Sequence, residues 1–276
     1  PEELWRLSKD DTNPLDLSKL NPMESEVWKN KLGMGLTYQQ DWLDLSEAGV
    51  STFSGHLTSA PGQMRFNVKQ AGDNGIYTVV LEKTLHTMIM RKNLLRKLGY
   101  VIPKTDYRRK LKVKFETIDQ MTEFLEGQLP KATLGASSRW LEKKDNDTLT
   151  ITLRDIAVMK PSEQDHYNFA MGVTPKLQTA RTVRSLIVPY ALLNVRESVN
   201  QLKWTEGRID NNTYLLPHFS FGTLNPSVHD VRWALRRLEK LTRVDLEEVV
   251  KLSYFPIEVE TLLIEKIVSR RNSLLK

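Results

Sequence analysis

Residues 77–103 read YTVVLEKTLHTMIMRKNLLRKLGYVIP. From Ile76 to Leu81 the run is almost continuously apolar, as a strand covered on both faces is. Lys83 follows, and Thr84 is placed to cap a helix over 85–98. In that helix Leu85, Met88, Ile89, Leu94, Leu95 and Leu98 fall largely on one face, with Arg91, Lys92, Arg96 and Lys97 on the other. Gly99 stops it, and Pro103 holds the exit extended. A buried strand, a basic amphipathic helix and a second extended segment predict an α+β fold.

Working outward, Met64–Lys69 alternates apolar and polar residues, and the turn cluster Gly72-Asp73-Asn74-Gly75 joins it to the apolar run as a β-hairpin. This tip lacks the glycine spacing and following helix of a phosphate loop. Downstream, Lys110–Phe115 (KLKVKF) predicts a strand with a basic outer face. Ile118–Leu129 predicts a helix with Met121, Phe124, Leu125 and Leu129 inward. Residues 131–148 are polar and rich in turn formers, a candidate lobe boundary. Beyond them come a strand at Thr148–Val158, a helix at Thr179–Asn194 kinked by Pro189, and a hairpin from Leu202–Trp204 and Tyr214–Leu216. Three helices follow: one capped by Ser227, one at Asp245–Leu252 and one opened by Pro256. The expected organisation is a wrapping segment over 1–50 that packs Trp5, Trp28 and Trp42 on a core, an N-terminal hairpin-plus-helix lobe over 51–130, and a mostly helical lobe with a hairpin over 131–276.

The composition is that of a globular chain: 276 residues, 40% hydrophobic and 27% charged. The best apolar run, Leu186–Leu193, holds Pro189 and is too short to cross a membrane, which takes about 20 residues. No transmembrane segment is therefore expected. A chain beginning at Pro1 fits a soluble protein, secreted or periplasmic, whose signal peptide has been removed. With no cysteine there is no disulfide, thiolate metal site or cysteine nucleophile. The five histidines show no metal-ligand spacing. The net charge of +6 is uneven: between Arg91 and Lys114 ten basic residues face Asp106 alone, a local +9 that leaves −3 for the remainder. Such a patch suits an anionic ligand or surface, with Arg91, Lys92, Arg96, Lys97, Arg108, Arg109 and Lys110 as the anion-binding set. The same pattern also describes a solvated helix face followed by an edge strand guarded by lysines. Arg181, Arg184 and Arg196 could line a phosphate cleft or form ion pairs. His229-Asp230 reads as first-turn capping.

The order strand, Lys83, helix, LGYVIP, strand resembles the upper lobe of HipA-like toxin kinases and spore-coat protein kinases. Ser185–Asn200, followed by a hairpin and Leu215-Leu216-Pro217-His218-Phe219-Ser220-Phe221-Gly222, is similar in order to their lower lobe. The resemblance spans about 78–222 and implies a kinase-like α+β fold with ATP and Mg²⁺ as cofactors. Lys83 would then bind nucleotide phosphates and Asn200 would hold magnesium. The helix after Lys83 carries no acid to pair with it. Val195 stands where the catalytic aspartate would, with Glu197 the nearby acid, and the metal-binding aspartate position falls at His218 or Ser220. The resemblance with these replacements implies a binding or regulatory module on a kinase-like scaffold, or a divergent phosphotransferase using Glu197 or Asp210. A nucleic-acid or anionic-surface binder and a structural assembly protein are the remaining readings. The sequence sets no oligomeric state.

Overall fold

The computed structural model describes residues 22, 28–30, 49–57, 62–70, 75–102, 105–130, 137–159, 180–193, 208–210, 213–215 and 227–276. In chain order its elements are β1 (Val50–Leu57), β2 (Gln63–Gln70), β3 (Ile76–Glu82), α1 (Leu85–Lys97), β4 (Asp106–Lys114) and α2 (Ile118–Thr122). The last of these runs on as a π-helical stretch, Glu123–Gln128. Next come β5 (Leu141–Asp145), β6 (Thr150–Met159), α3 (Arg181–Arg184), α4 (Ile187–Leu193), β7 (Arg208–Asp210) and β8 (Thr213–Leu215). The chain ends with α5 (Val228–Glu239), α6 (Arg243–Lys251) and α7 (Ile257–Leu274).

The α+β class holds. The expected hairpin is β2–β3, in register from Gln63 opposite Glu82 to Lys69 opposite Ile76. The larger sheet runs β3-β2-β1-β4-β6-β5, and β3 also pairs with β6. Five strands therefore close into a ring, with β5 attached outside it along β6. Within this sheet β1 and β4 run parallel and every other pair is antiparallel. Closure satisfies backbone groups that an open sheet would leave at its edges. Inside the ring, Phe53, Phe66, Val79, Leu111, Val113 and Leu153 meet Phe115, Met121, Phe124 and Trp140 in one core. Four of its phenylalanines pack with centroids 5.2 to 5.9 Å apart. In β1 the register shifts between Phe53 and Gly55, where φ of +125° selects glycine.

The boundary expected at 131–148 does not divide the sheet. β6 follows that segment yet pairs with β4 over Asp106–Lys114 and with β3 over Thr78–Val80. The described part of that segment contains β5, itself paired with β6, and the sheet extends to Met159.

The inward pattern of β6 changes parity along its length. Ile151 and Leu153 face the core, and then Ile156 and Val158 do. Between them Arg154 and Asp155 are exposed, and Asp155 adopts a left-handed φ of 51°. Arg109, across from this step on β4, is exposed as well. Beyond the step Asp106 and Arg108 lie opposite Val158 and Ile156, and both are buried.

The helix expected to show one apolar and one basic face is covered on two sides. Leu85 and Ile89 of α1 pack on Val80, Ala157 and Met159, on the outside of the ring. Met90, Leu94, Leu95 and Leu98 enter a second core with α3, α4, α5, α6 and α7. Thr84 does not cap α1; its hydroxyl donates to Glu82 instead. Ser227 with Asp230 and Thr242 with Asp245 do form reciprocal caps, at α5 and α6. The helix expected over 179–194 is broken at Ser185-Leu186. Pro189 has no N–H to give the Ser185 carbonyl, which accepts from Val188 N at 3.1 Å. The second hairpin pairs Arg208–Asp210 with Thr213–Leu215; the strand expected at 202–204 lies outside the described residues.

Trp28 packs against the helical core and is fully buried. Its Nε1 donates to the Leu98 carbonyl at 3.2 Å, and its ring meets Trp233 edge-on at 5.6 Å. The Arg237 guanidinium lies 4.8 Å from the Trp28 ring centre and 5.5 Å from that of Trp233, and also donates to Asn30 Oδ1. Trp5 and Trp42 lie outside the described residues. Trp28→Ala is expected to cost about 3–5 kcal/mol, since it opens a cavity and strips Arg237 of a ring face. Urea unfolding of the variant should show a lower midpoint at an unchanged slope.

Candidate anion-binding surfaces

The +9 segment does not form one surface. Lys97 is only 1% exposed, and its Nζ donates to Asp245 Oδ1 at 3.0 Å and Glu248 Oε2 at 2.6 Å on α6. Arg108 is buried against Asp106 at 2.9 Å, placed there by the parity step in β4 and β6. Both were expected to meet an anion from outside, and both are neutralised within the fold. Arg91 and Arg96 are half-buried on α1, while Arg109 and Lys110 are exposed.

The exposed charge collects on the outer wall of β4, β6 and β5. Strand pairing sets Lys110 opposite Arg154, Lys112 opposite Thr152, and Lys114 opposite Thr150. β5 extends two of these rows, with Lys143 opposite Thr152 and Asp145 opposite Thr150. On the other side Thr52 lies opposite both Lys114 and Lys69. Neighbouring strands are about 4.8 Å apart, and same-face residues along a strand are about 6.7 Å apart. Two cations of the wall are engaged. Lys110 reaches Glu142 at 2.5 Å, and Arg154 donates to the carbonyls of Arg139 and Ser138 at 2.8 and 3.1 Å. Lys112, Lys114 and Lys143 are exposed, and none of the three forms a salt bridge among the described residues. Lys143 helps to hold the Asp145 carboxyl below its ordinary pKa, after the larger effect of the Thr148 backbone N–H. The signal for Lys112 and Lys114 was the strict alternation of KLKVK. Lys143 could be found only through its pairing partner.

Lys83 is exposed in the turn between β3 and α1. The carboxylate before it, Glu82, accepts from Gln63 Nε2 at 2.9 Å and from Thr84 Oγ1. Glu197, Asn200 and His218 lie outside the described residues. Arg181 and Arg184 both bond Asp230, at 3.3 Å and at 2.7 and 3.0 Å, so these two arginines serve an internal ion pair. Burial alone would raise the Asp230 pKa; the Arg184 hydrogen bonds and charge, with the Ser227 backbone and hydroxyl donors, outweigh it and hold the carboxyl below its usual range. Among the described residues no group of three or more His, Asp or Glu is placed to hold a metal ion. No described helix is long and apolar enough to cross a membrane.

Lys92 is placed differently from every other cation of the segment. Leu85, Ile89, Lys92 and Arg96 recur at helical spacing, so the stripe of α1 that faces the barrel turns from apolar to cationic along its length. Lys92 Nζ donates to Thr105 Oγ1 at 2.6 Å and meets Met159 Sδ at 3.4 Å, two neutral partners. Burial of the amine lowers its pKa to about 8 from an ordinary 10.5. Arg65, Arg91 and Arg96 add to the effect and Glu82 opposes it.

A lowered lysine pKa makes the folded state the weaker proton binder, so the cost of charging Lys92 is present below about pH 8. It is relieved as pH rises from about 8 to 10.5. Lys92→Met should therefore stabilise the protein at pH 7 by at most about 3 kcal/mol. The gain should shrink between pH 8 and 10.5. Urea unfolding of both proteins at pH 7, 9 and about 10.5 reads the difference.

Comparison with protein-family models, with curated proteins and with solved structures found no match to this chain.

Proposed function

We propose that this protein is a binding module for a polyanionic partner, which it takes on the outer wall of β4, β6 and β5. The observation that carries this reading is the set Lys112, Lys114 and Lys143, exposed on one regular face without a salt bridge among the described residues. Guarding an edge strand accounts for Lys143, on the outer strand β5, but not for Lys112 and Lys114. β4 is flanked by β1 on one side and β6 on the other, so its lysines have no open edge to protect. The internal pairing of Lys97 and Arg108 strengthens the contrast: those two cations meet acids inside the fold, whereas Lys112, Lys114 and Lys143 face solvent.

Lysines spaced along a flat, hydroxyl-bearing wall (Thr52 and Thr152 interleave with them) fit an extended chain or surface of phosphate or sulfate groups better than a single small ligand. Such a site takes its partner by charge, and the wall supplies no aromatic platform for stacked bases. The kinase-like resemblance adds the expectation that ATP with Mg²⁺ would bind near Lys83. The wall requires neither cofactor.

The test is binding to immobilised heparin and to vesicles of anionic phospholipid over a range of salt. Wild-type binding should weaken steeply with salt, and Lys112→Glu/Lys114→Glu/Lys143→Glu should lose at least about tenfold in affinity together with much of the salt slope. Binding that the triple variant retains in full would remove the wall from the interaction.

A further inference from the structure

The seam between α1 and the barrel holds a second concentration of positive charge, away from the β4–β6–β5 wall. Arg65, Arg91 and Arg96 each bear on the charge of Lys92 there. The single carboxylate among these charges, Glu82, already accepts from Gln63 and Thr84. Among the described residues the Lys92 amine contacts the Thr105 hydroxyl and the Met159 thioether. The Nε of Arg65 is buried and has no hydrogen-bond partner among the described residues. Leaving such a donor unmet is costly, and so is enclosing an ammonium without an anion beside it.

We infer that this seam binds the phosphate group of a small molecule, with Lys92 and Arg65 as its principal donors and Thr105 beside them. Sequence and register assemble the site. Arg65 lies opposite Val80, on the outer side of the hairpin where α1 packs. The helical spacing of Leu85, Ile89 and Lys92 carries the amine to the end of β6, where Met159 and Thr105 receive it. The Thr105 hydroxyl accepts from Lys92 and lies 3.9 Å from Met159 Sδ. A compact ammonium, a guanidinium and a hydroxyl on the α1 side of the barrel match the several lone pairs of a tetrahedral oxyanion.

The competing account is that Lys92 simply gives up its proton and needs no partner. Titrating the full chain with inorganic phosphate by calorimetry, and in parallel following the Lys92 side chain by NMR, separates the two. One saturable site is expected, with the Lys92 titration moving to higher pH in phosphate. Lys92→Met and Arg65→Gln should each weaken binding at least about tenfold, while the triple lysine variant of the outer wall should bind as the wild type does. Glycerol phosphate, a phosphate monoester, serves as the second arm. Binding at least as tight as that of phosphate identifies a phosphorylated small molecule as the ligand, and binding of phosphate alone identifies the free anion. Lys92→Met removes an uncompensated charge, so loss of binding in that variant is not loss of fold. Phosphate affinity weaker than about 10 mM, or affinity unchanged in both single variants, overturns the inference.

Discussion

The pairing of β3 with β6, Thr78 to Met159, Val79 to Val158 and Val80 to Ala157, is the constraint on which the rest of this structure depends. These residues are about eighty positions apart, so their pairing closes a long loop, and the entropy of that closure must be recovered from contacts made afterwards. Those contacts are substantial. The inner sides of the two strands complete an aromatic core, while their outer sides supply the apolar platform of Val80, Ala157 and Met159 that receives α1. With the ring closed, α1 has a barrel on one flank and five helices on another, and it couples the two cores.

Closure also sorts the charges. It places β4 between two partners, which turns Lys110, Lys112 and Lys114 into the middle of a wall instead of an edge. It brings Met159 beside Thr105, so that a lysine about two turns into α1 is half-buried between them. The parity step at Arg109 and Asp155 then decides which cations of β4 are inside: Arg108 goes in with Asp106, and Arg109 and Lys110 stay out. The described cations of one basic segment thus fall into different environments: Lys97 and Arg108 neutralised, Lys112 and Lys114 displayed, and Lys92 half-buried.

The strands were legible because a period of two is a local property, visible at Met64–Lys69 and Lys110–Phe115 without knowledge of any partner. The capping pair Ser227 and Asp230 was legible for the same reason. Ring closure was not, since periodicity says that a strand has two faces but not which strand lies beside it. The acids that neutralise Lys97 follow it by 148 and 151 residues. Seen alone, α1 therefore looked like a helix with a solvated basic face. Lys143 was hidden in a segment whose turn-forming composition suggested a linker, and only its register with Thr152 places it beside Lys112. Of the seven cations the sequence nominated, Arg109 and Lys110 sit at the border of the displayed wall.

Lys92 and Lys97 stand on the same helix, five residues apart, and the contrast between them bears on what the seam is for. Lys97 shows how this fold treats a lysine that it encloses for structure: two carboxylates converge on the amine, and one of them also caps the helix it belongs to. Removing both the lysine and its acids from water is tolerable only because the set is complete. Among the described residues no carboxylate bonds Lys92. Its nearest charges are mostly arginines, and its contacts are a hydroxyl and a thioether. A methionine there would fill similar space at lower cost, so stability does not explain an amine at this position. An amine that is costly to the folded state, on the same side of the barrel as an Arg65 Nε that finds no partner among the described residues, is accounted for when the acceptor comes from a ligand.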